Sequence, residues 1–210
     1  MEKRYQVFVS STYEDLQEER KEVMQALLEL DCIPSGMELF PAASESQWDI
    51  IKKVIDDCDY YLLILAGRYG SCAPDGVGYT EMEYRYALSI DKPVIAFVHR
   101  DASSLPAKKC EPTDEGKKKL ADFRKLVEQK LCKHWVDSSG LGSVVSRSLV
   151  QLIKRTPAVG WVRADELPDK NATLELLKLR EKVESLEAEL SQASSRRIKG
   201  FAAFICLTDG

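Results

Sequence analysis

The sequence predicts an α/β fold in which a five-stranded parallel sheet carries helices on both faces. Short β-rich runs alternate with stretches of helical periodicity from residue 5 to about residue 155. Two of these runs, Tyr60–Ala66 and Pro93–Val98, are continuously apolar, as strands covered on both faces should be. The chain has 210 residues, enough for one domain of about 150 residues and an appendage.

Each predicted strand is a short run of apolar, β-branched or aromatic residues that polar or turn-forming residues end. The first run stops at the hydroxyl-rich stretch Ser10–Thr12, and Pro34 and Gly36 make the second run the weakest. In chain order the predicted strands are Tyr5–Val9, Ile33–Phe40, Tyr60–Ala66, Pro93–Val98 and Lys133–Val136. Their strict alternation with helices places them in one parallel sheet, for which we expect the order 2-1-3-4-5.

Each predicted helix has apolar residues three or four positions apart, which gives it a stripe that packs against the sheet. Ser11 and Glu14 have the spacing of a capping box at the start of the first helix. Thr80 and Glu83 have the same spacing in the third helix. The predicted helices lie over about 13–30, Ser46–Asp57, about Thr80–Ile90, about 116–131, and a last stretch that contains Val144, Val145, Leu149, Leu152 and Ile153.

Four segments are expected along the chain. An α/β domain over 1–155 precedes a linker over 156–170, a coiled-coil helix over 171–195 and a tail over 196–210 that could be a truncated continuation. The apolar residues of the helix are spaced 4-3-4-3-4-3, at Ala172, Leu176, Leu179, Val183, Leu186, Leu190 and Ala193. This spacing is typical of about three heptads of coiled coil and predicts a homo-oligomer. A single amphipathic helix folded back on the domain is the alternative.

Composition excludes several classes of function. Thirty basic residues against 34 acidic ones give a formal net charge of −4, so we expect no nucleic-acid partner. The longest apolar runs have seven residues, far short of the roughly 20 that span a bilayer, so no membrane association is expected. Without a signal peptide, the expected location is the cytoplasm. Six scattered cysteines without a CxxC pair and only two histidines predict no metal site.

A sheet of this order binds ligands beyond the carboxyl ends of its first and third strands, where the strand order reverses. The first strand ends at Ser10, Ser11 and Thr12, three hydroxyl side chains at the expected start of a helix. Backbone N–H groups and the helix dipole favour a phosphate at such a point. We therefore expect these three residues to hold phosphate or ribose hydroxyl groups of a ligand.

The third strand leads into a glycine-rich loop over Gly67–Gly78, and long loops on a rigid sheet commonly carry function. Arg68 and Tyr69 lie at the start of this loop. We expect both to bind substrate, with Arg68 neutralising phosphate charge. Neither a Walker A pattern nor GxGxxG occurs, so nucleoside triphosphate hydrolysis and Rossmann-type cofactor binding lack their signatures.

The helix after the third strand begins with Tyr79–Ala87, and its first turn should overlook the same crevice. A carboxylate there, such as Glu83, could act as a nucleophile or stabilise an oxocarbenium ion on a ribosyl bond. The alternative is structural, because Thr80 and Glu83 at capping-box spacing can be explained by a helix start alone.

Several long motifs resemble one family in the right order. They are VFVSSTYEDLQEER (Val7–Arg20), GMELFPA (Gly36–Ala42), CDYYLLILAGRYGS (Cys58–Ser71), YTEMEYRYA (Tyr79–Ala87) and KPVIAF (Lys92–Phe97). Over residues 4–165 the chain resembles domain-of-unknown-function family 4062. The family occurs at the N-terminus of bacterial multidomain proteins that resemble defence systems, and is thought to be related to TIR domains. The resemblance implies a flavodoxin-like or TIR-like fold.

The resemblance to TIR domains extends to individual residues. Gln6–Ser10 is similar to the strand motif that opens TIR domains, and Tyr79 and Glu83 match an aromatic residue and a glutamate four positions later. In enzymatic TIR domains that glutamate cleaves the nicotinamide–ribose bond of NAD. Nucleoside deoxyribosyltransferases are similar at Thr80, Glu83 and Ala87, the glutamate being catalytic there too. Tyr79 and Val77 depart from that second pattern, where those enzymes carry a glycine and an aspartate.

These resemblances imply a TIR-like effector domain that cleaves an N-glycosidic bond of NAD or a related nucleotide in bacterial defence or signalling. Glu83 would be catalytic, Ser10, Ser11, Thr12, Arg68, Tyr69 and Tyr79 would bind substrate, and no cofactor would be needed. The alternative function is a non-catalytic TIR-like module that binds proteins or senses a nucleotide and acts through oligomerisation.

Overall fold

The computed structural model describes residues 2–36, 47–166 and 170–205, and contains a five-stranded sheet in which every strand pair is parallel. The strand order is β2-β1-β3-β4-β5, which confirms the predicted fold class and order. The strands are β1 Gln6–Ser10, β2 Ile33–Ser35, β3 Tyr60–Leu65, β4 Val94–His99 and β5 Lys133–Trp135. The second strand was expected to continue to Phe40, but positions 37–40 lie outside the described residues.

Helices connect the strands and follow the last of them. They are α1 Gln17–Glu29, α2 Gln47–Asp57, α3 Tyr79–Ser89, α4 Asp114–Glu128, α5 Ser138–Arg155 and α6 Lys170–Ile205. Short 3₁₀ turns lie at Ala102–Ser104, Ala107–Lys109 and Ala164–Glu166. Thr113 caps α4 and Asp137 caps α5 through side-chain hydrogen bonds to backbone N–H groups. A C-terminal helix is therefore present where the heptad pattern occurs.

The core has two layers, one on each face of the sheet. Strand β3 is buried along its whole length, so its side chains alternate between the two layers. On one face, α1 and α5 cover side chains of β1 and β3 that include Val7, Val9, Leu62 and Ile64. On the other face, α2, α3 and α4 cover Phe8, Tyr61 and Leu63. Each fully buried side chain of this size contributes about 1.5–3 kcal/mol to stability.

The predicted capping box at the start of α1 is wrong. The helix begins at Gln17, and its N-cap residue Leu16 makes no side-chain capping hydrogen bond. Ser11 instead donates its hydroxyl to the carbonyl oxygen of Thr12, 2.7 Å away. Because Leu16 is fully buried, tertiary packing fixes the start of this helix several residues beyond the spacing signal.

The chain divides into two compact units, Met1–Trp161 and Val162–Gly210. In the first unit, the segment after α5 returns to the beginning of the sheet. The Arg4 N–H donates to the Trp161 carbonyl at 2.9 Å, and the Trp161 N–H donates back at 2.7 Å. The Tyr60 hydroxyl donates to the Thr156 carbonyl at 2.8 Å. The backbone of position 161 is therefore hydrogen-bonded to the chain's N-terminal segment.

The second unit contains α6. Its side chains between Leu174 and Ala193 are exposed. Within the described ranges, no helix of either unit combines the length and apolar character needed to cross a membrane.

Candidate functional site

A cavity of about 510 Å³ lies beyond the carboxyl ends of β1 and β3, where the strand order reverses. Five of the seven predicted site residues line it, namely Ser11, Thr12, Arg68, Tyr79 and Glu83. A neighbouring cavity of about 310 Å³ is lined by Ser10, Ser11, Glu83 and other residues. The switch-point rule therefore located the cleft correctly, and Glu83 lies in the walls of both cavities.

Glu83 is directed at the sheet by the periodicity of α3. The buried residues of this helix are Thr80, Glu83, Tyr84 and Ala87, which share one face. The Glu83 side chain accepts a hydrogen bond from the hydroxyl of Ser10, the last residue of β1. Both residues are almost completely buried, at 6% and 2% exposure. A carboxylate is thus held in a fixed orientation at the end of the first strand.

The capping-box interpretation of Glu83 is wrong. Helix α3 begins at Tyr79, and its N-cap residue Gly78 makes no side-chain capping hydrogen bond. The third residue of the helix is therefore Glu81, which accepts hydrogen bonds from Tyr69 and Arg85. Glu83 lies too far into the helix to satisfy its first N–H groups. A helix start therefore does not explain the position of Glu83, whose carboxylate is bonded to Ser10.

Tyr61 completes a buried polar cluster with Ser10 and Glu83. Its ring stacks on that of Phe8, the paired residue of β1, with centroids 5.6 Å apart. Burial raises the pKa of the Tyr61 phenol well above its ordinary value, and the Glu83 charge raises it further, while the Ser10 hydroxyl opposes this. Because Tyr61 is fully buried and Glu83 nearly so, the electrostatic interaction between them is stronger than it would be in water. Sequence reasoning missed Tyr61 because it lies within an apolar run.

Arg20 fixes the chain just after β1. Its Nη1 donates to the carbonyl oxygen of Val9 at 3.2 Å and to the Ser11 hydroxyl at 2.8 Å. Arg20 is only 5% exposed and lies on the buried face of α1, beside Val23 and Leu27. Sequence reasoning missed it, although a charged residue within the apolar stripe of a helix is a detectable signal.

The helix-terminus argument for phosphate binding at Ser10, Ser11 and Thr12 is wrong. Helix α1 begins at Gln17, so these hydroxyl groups do not lie in its first turn. Ser10 is bonded to Glu83, and Ser11 is bonded to Arg20 and to the Thr12 backbone. The hydroxyl groups of Ser10 and Ser11 thus hold neighbouring side chains and backbone of the site in place.

Gly70 brings the second loop against the first. Its φ is +86°, which favours glycine, and a Cβ at this position would lie 2.7 Å from Cγ2 of Thr12. Arg68, in the same loop, forms an ion pair with Glu14 at 3.0 Å. The Glu14 side chain is 80% exposed, so solvent screens this pair. A ligand anion can therefore compete with Glu14 for Arg68.

Tyr69 is not brought to the cavity. It is 5% exposed, its hydroxyl donates to Oε2 of Glu81 at 2.7 Å, and it accepts from the Gly78 N–H at 3.0 Å. Burial and the Glu81 hydrogen bond raise its pKa to about 12. Tyr69 was predicted to bind substrate. In the structure its hydroxyl instead joins the loop to the start of α3. Tyr79 lines the cavity as a half-buried side chain.

Asp15 is a second buried carboxylate in the cavity wall, and sequence reasoning missed it. It is 4% exposed, and burial raises its pKa, opposed by the Thr12 hydroxyl and by the charges of Arg68 and Lys109. Lys109 itself donates to both carboxylate oxygens of Glu19, at 2.8 and 3.1 Å. No group of His, Cys, Asp or Glu side chains among the described residues has an arrangement suited to a metal ion.

The fold and the cleft define a class of protein, a doubly wound α/β domain with a buried glutamate and its serine partner at the switch point. The sequence model described as "Domain of unknown function (DUF4062)" matches residues 6–150. This match covers more than half of the chain, so the protein belongs to that family, as its motifs predicted.

One similar solved structure is that of the TIR domains in "the activated Roq1 resistosome directly recognizing the pathogen effector XopQ". The identity is 12%, the TM-score is 0.40, and the comparison covers 85% of this chain and 99% of the other. Comparison with curated proteins gives no match.

Proposed function

We propose that the first unit cleaves an N-glycosidic bond of NAD or a related nucleotide, with Glu83 as the catalytic carboxylate. The observation that carries the proposal is the placement of Glu83, a nearly buried carboxylate that lines both cavities and is oriented by the Ser10 hydroxyl. The resemblance of Tyr79 and Glu83 to the paired residues of enzymatic TIR domains supports the same assignment.

The chemistry follows from charge. When the bond between ribose C1′ and the pyridinium nitrogen of NAD breaks, its electron pair goes to the nitrogen and C1′ becomes cationic. A nearly buried carboxylate in the cavity wall stabilises this cation more strongly than water does, or adds an oxygen to C1′. Water then attacks C1′, displacing the carboxylate oxygen where an ester has formed, so that the free ribosyl hydroxyl forms and a proton passes to solvent. The Ser10 hydroxyl would hold the carboxylate in place during these steps.

Substrate would be held by the walls of the larger cavity. Arg68 can exchange its exposed partner Glu14 for a phosphate of the nucleotide. Tyr79 and Thr12 line the same cavity and offer an aromatic ring and a hydroxyl group to the ribose or the base. A cavity of about 510 Å³ is of the size that small-molecule sites have. No cofactor takes part in this scheme, and we place the activity in bacterial defence or signalling within the cytoplasm.

The test is incubation of the concentrated full chain with NAD and with common nucleosides, followed by chromatography of the products. Release of nicotinamide or of a free base by the wild-type protein supports the proposal. A Glu83→Gln variant that retains this release would contradict it.

A second function is favoured by α6, whose apolar seam is exposed in the single chain. In this alternative the first unit is a non-catalytic interaction or nucleotide-sensing module, and the chain acts through homo-oligomerisation. Calorimetry followed by chromatography of the mixture distinguishes the two functions. A nucleotide-sensing module would bind a nucleotide in the cavity and leave it intact over hours. Such binding should weaken in an Arg68→Gln variant.

A further inference from the structure

Helix α6 carries a continuous apolar seam on its surface. Its large members are between 47% and 67% exposed, and they are Leu176, Leu179, Val183, Leu186 and Leu190. Ala172 and Ala193 continue the same spacing at the two ends. Twenty-two residues of helix rise about 33 Å, so the seam is long enough for about three heptads. An exposed apolar surface of this kind marks an interaction site.

We propose that α6 pairs with α6 of a second copy of this chain as a parallel, in-register, two-stranded coiled coil. The inference goes beyond the self-association considered above, which leaves the number and the direction of the helices open. It does not depend on catalysis by Glu83, because the assembly and the cleavage of a nucleotide are measured separately.

The residues of the seam favour two strands. In heptad terms Leu176, Val183 and Leu190 occupy position a, while Leu179 and Leu186 occupy position d. A β-branched residue at a with leucine at d suits a dimer, as Val183 does between Leu179 and Leu186, whereas isoleucine at d favours trimers and tetramers. The seam between Ala172 and Ala193 contains no isoleucine.

Charges beside the seam are complementary in a parallel pair. Position g of one helix then faces position e of the other helix, five residues further along. Glu175 would face Arg180 of the second copy, and Lys182 would face Glu187 of the second copy. By symmetry each contact forms twice. Within one chain, Arg180 already contacts Glu184 at 3.4 Å, an exposed pair that an interhelical partner can replace.

An antiparallel pair is the competing arrangement, and its charges also match in one register. With Val183 opposite Leu186, Lys182 would face Glu189, and Arg180 would face Glu187. The seam separates the two arrangements. A parallel pair has seven apolar layers, from Ala172 to Ala193, whereas this antiparallel register has six, sets each Leu176 against Ala193 and leaves Ala172 outside the seam. The parallel pair therefore buries more apolar surface.

The experiment measures the mass and the dissociation constant of the full chain by sedimentation equilibrium. Lys182→Glu places like charges together in either arrangement, and should raise the dissociation constant of the dimer about tenfold. The second substitution reveals the direction. Adding Glu187→Lys should restore the wild-type constant in a parallel pair, because position 182 then faces lysine. Adding Glu189→Lys should restore nothing, because position 194 opposite it is a serine.

Helix content measured by circular dichroism should be equal in all variants, so that changes in mass reflect association. A dimer that Lys182→Glu weakens and Glu187→Lys rescues supports the proposal. Rescue by Glu189→Lys alone would establish the antiparallel pair and overturn it. The proposal is also overturned if the wild type is a monomer at high concentration or has a mass of three or more chains. The same holds if Lys182→Glu leaves the dissociation constant unchanged.

Discussion

The hydroxyl of Ser10 donates a hydrogen bond to the carboxylate of Glu83, across 73 positions of sequence. The bond joins the end of β1 to the buried face of α3, at the edge of the sheet where two cavities meet. Neither partner has more than 6% of its surface exposed. A buried carboxylate is costly unless it is hydrogen-bonded, so the geometry of this pair governs both stability and the proposed chemistry.

Replacing Ser10 by alanine should destabilise the protein. The substitution removes a donor to a buried charged group, a loss of about 1.5–3 kcal/mol in the free energy of unfolding. Ser71→Ala is the matched control, because Ser71 is an exposed serine in the wall of the larger cavity, and its effect should stay within about 0.5 kcal/mol. Urea unfolding of both variants makes the measurement. Equal stabilities would show that the Ser10 bond contributes nothing.

Arg20→Lys should be destabilising although it preserves the charge. Nη1 of Arg20 makes both bonds, and the lysine side chain ends one atom short of that nitrogen, so its amine cannot reach the Val9 carbonyl and the Ser11 hydroxyl without a shift of the backbone. We expect a loss of about 1–3 kcal/mol by thermal or chemical unfolding. The control Arg85→Lys alters an exposed arginine paired with Glu81, where about 0–1 kcal/mol is at stake. A variant as stable as this control would contradict the positioning role.

We expect the difference in stability between the wild type and Asp15→Asn to depend on pH. Burial raises the folded-state pKa of Asp15 above its ordinary value of 3.8, so the folded protein binds more protons than the unfolded chain just above that pH. The stability contribution of Asp15 therefore falls as pH rises from 3.8 through the raised pKa. The stability of the variant relative to the wild type should grow over that interval and then level off. A difference independent of pH from 4 to 8 would refute this assignment.

Replacing Leu179 and Leu186 together by aspartate should abolish self-association through α6. Each substitution sets a charge at a position where the seam requires an apolar side chain. Leu177→Asp is the control, because Leu177 is 54% exposed on the same helix but lies outside the seam. Light scattering should report a monomer for the double variant and an unchanged oligomer for the control. Monomeric wild-type protein would contradict the prediction.

The sequence predicted the sheet because its signals are local and repeated. Tyr60–Ala66 and Pro93–Val98 are apolar throughout, and alternation with helices then leaves few topologies. Helix starts were predicted less well, since Ser11 and Thr80 have the right residue types but tertiary contacts fix the first turn elsewhere. The location of the cleft followed from the strand order alone.

The partners within the cleft could not be predicted, because they depend on register and on three-dimensional contacts. Tyr61 is paired with Phe8 by the register of β1 and β3. Arg20 reaches back over nine positions to Ser11, and Asp15 becomes a cavity residue only when α1 starts beyond it. The burial of Tyr69 and its bond to Glu81 could not be predicted either, because they depend on how the loop packs against α3.

The most direct test of the proposed chemistry is the rate of nicotinamide release from NAD by the wild type, by Glu83→Gln and by Glu81→Gln. Glutamine at position 83 still accepts the Ser10 hydrogen bond but lacks the negative charge that stabilises a ribosyl cation. Glu81→Gln makes the same chemical change on the same helix, at a carboxylate bonded to Tyr69 and Arg85. We expect release by the wild type and by Glu81→Gln, and none by Glu83→Gln, with all three proteins folded. Release by Glu83→Gln at the wild-type rate, or no release by concentrated wild-type protein, would contradict catalysis by Glu83.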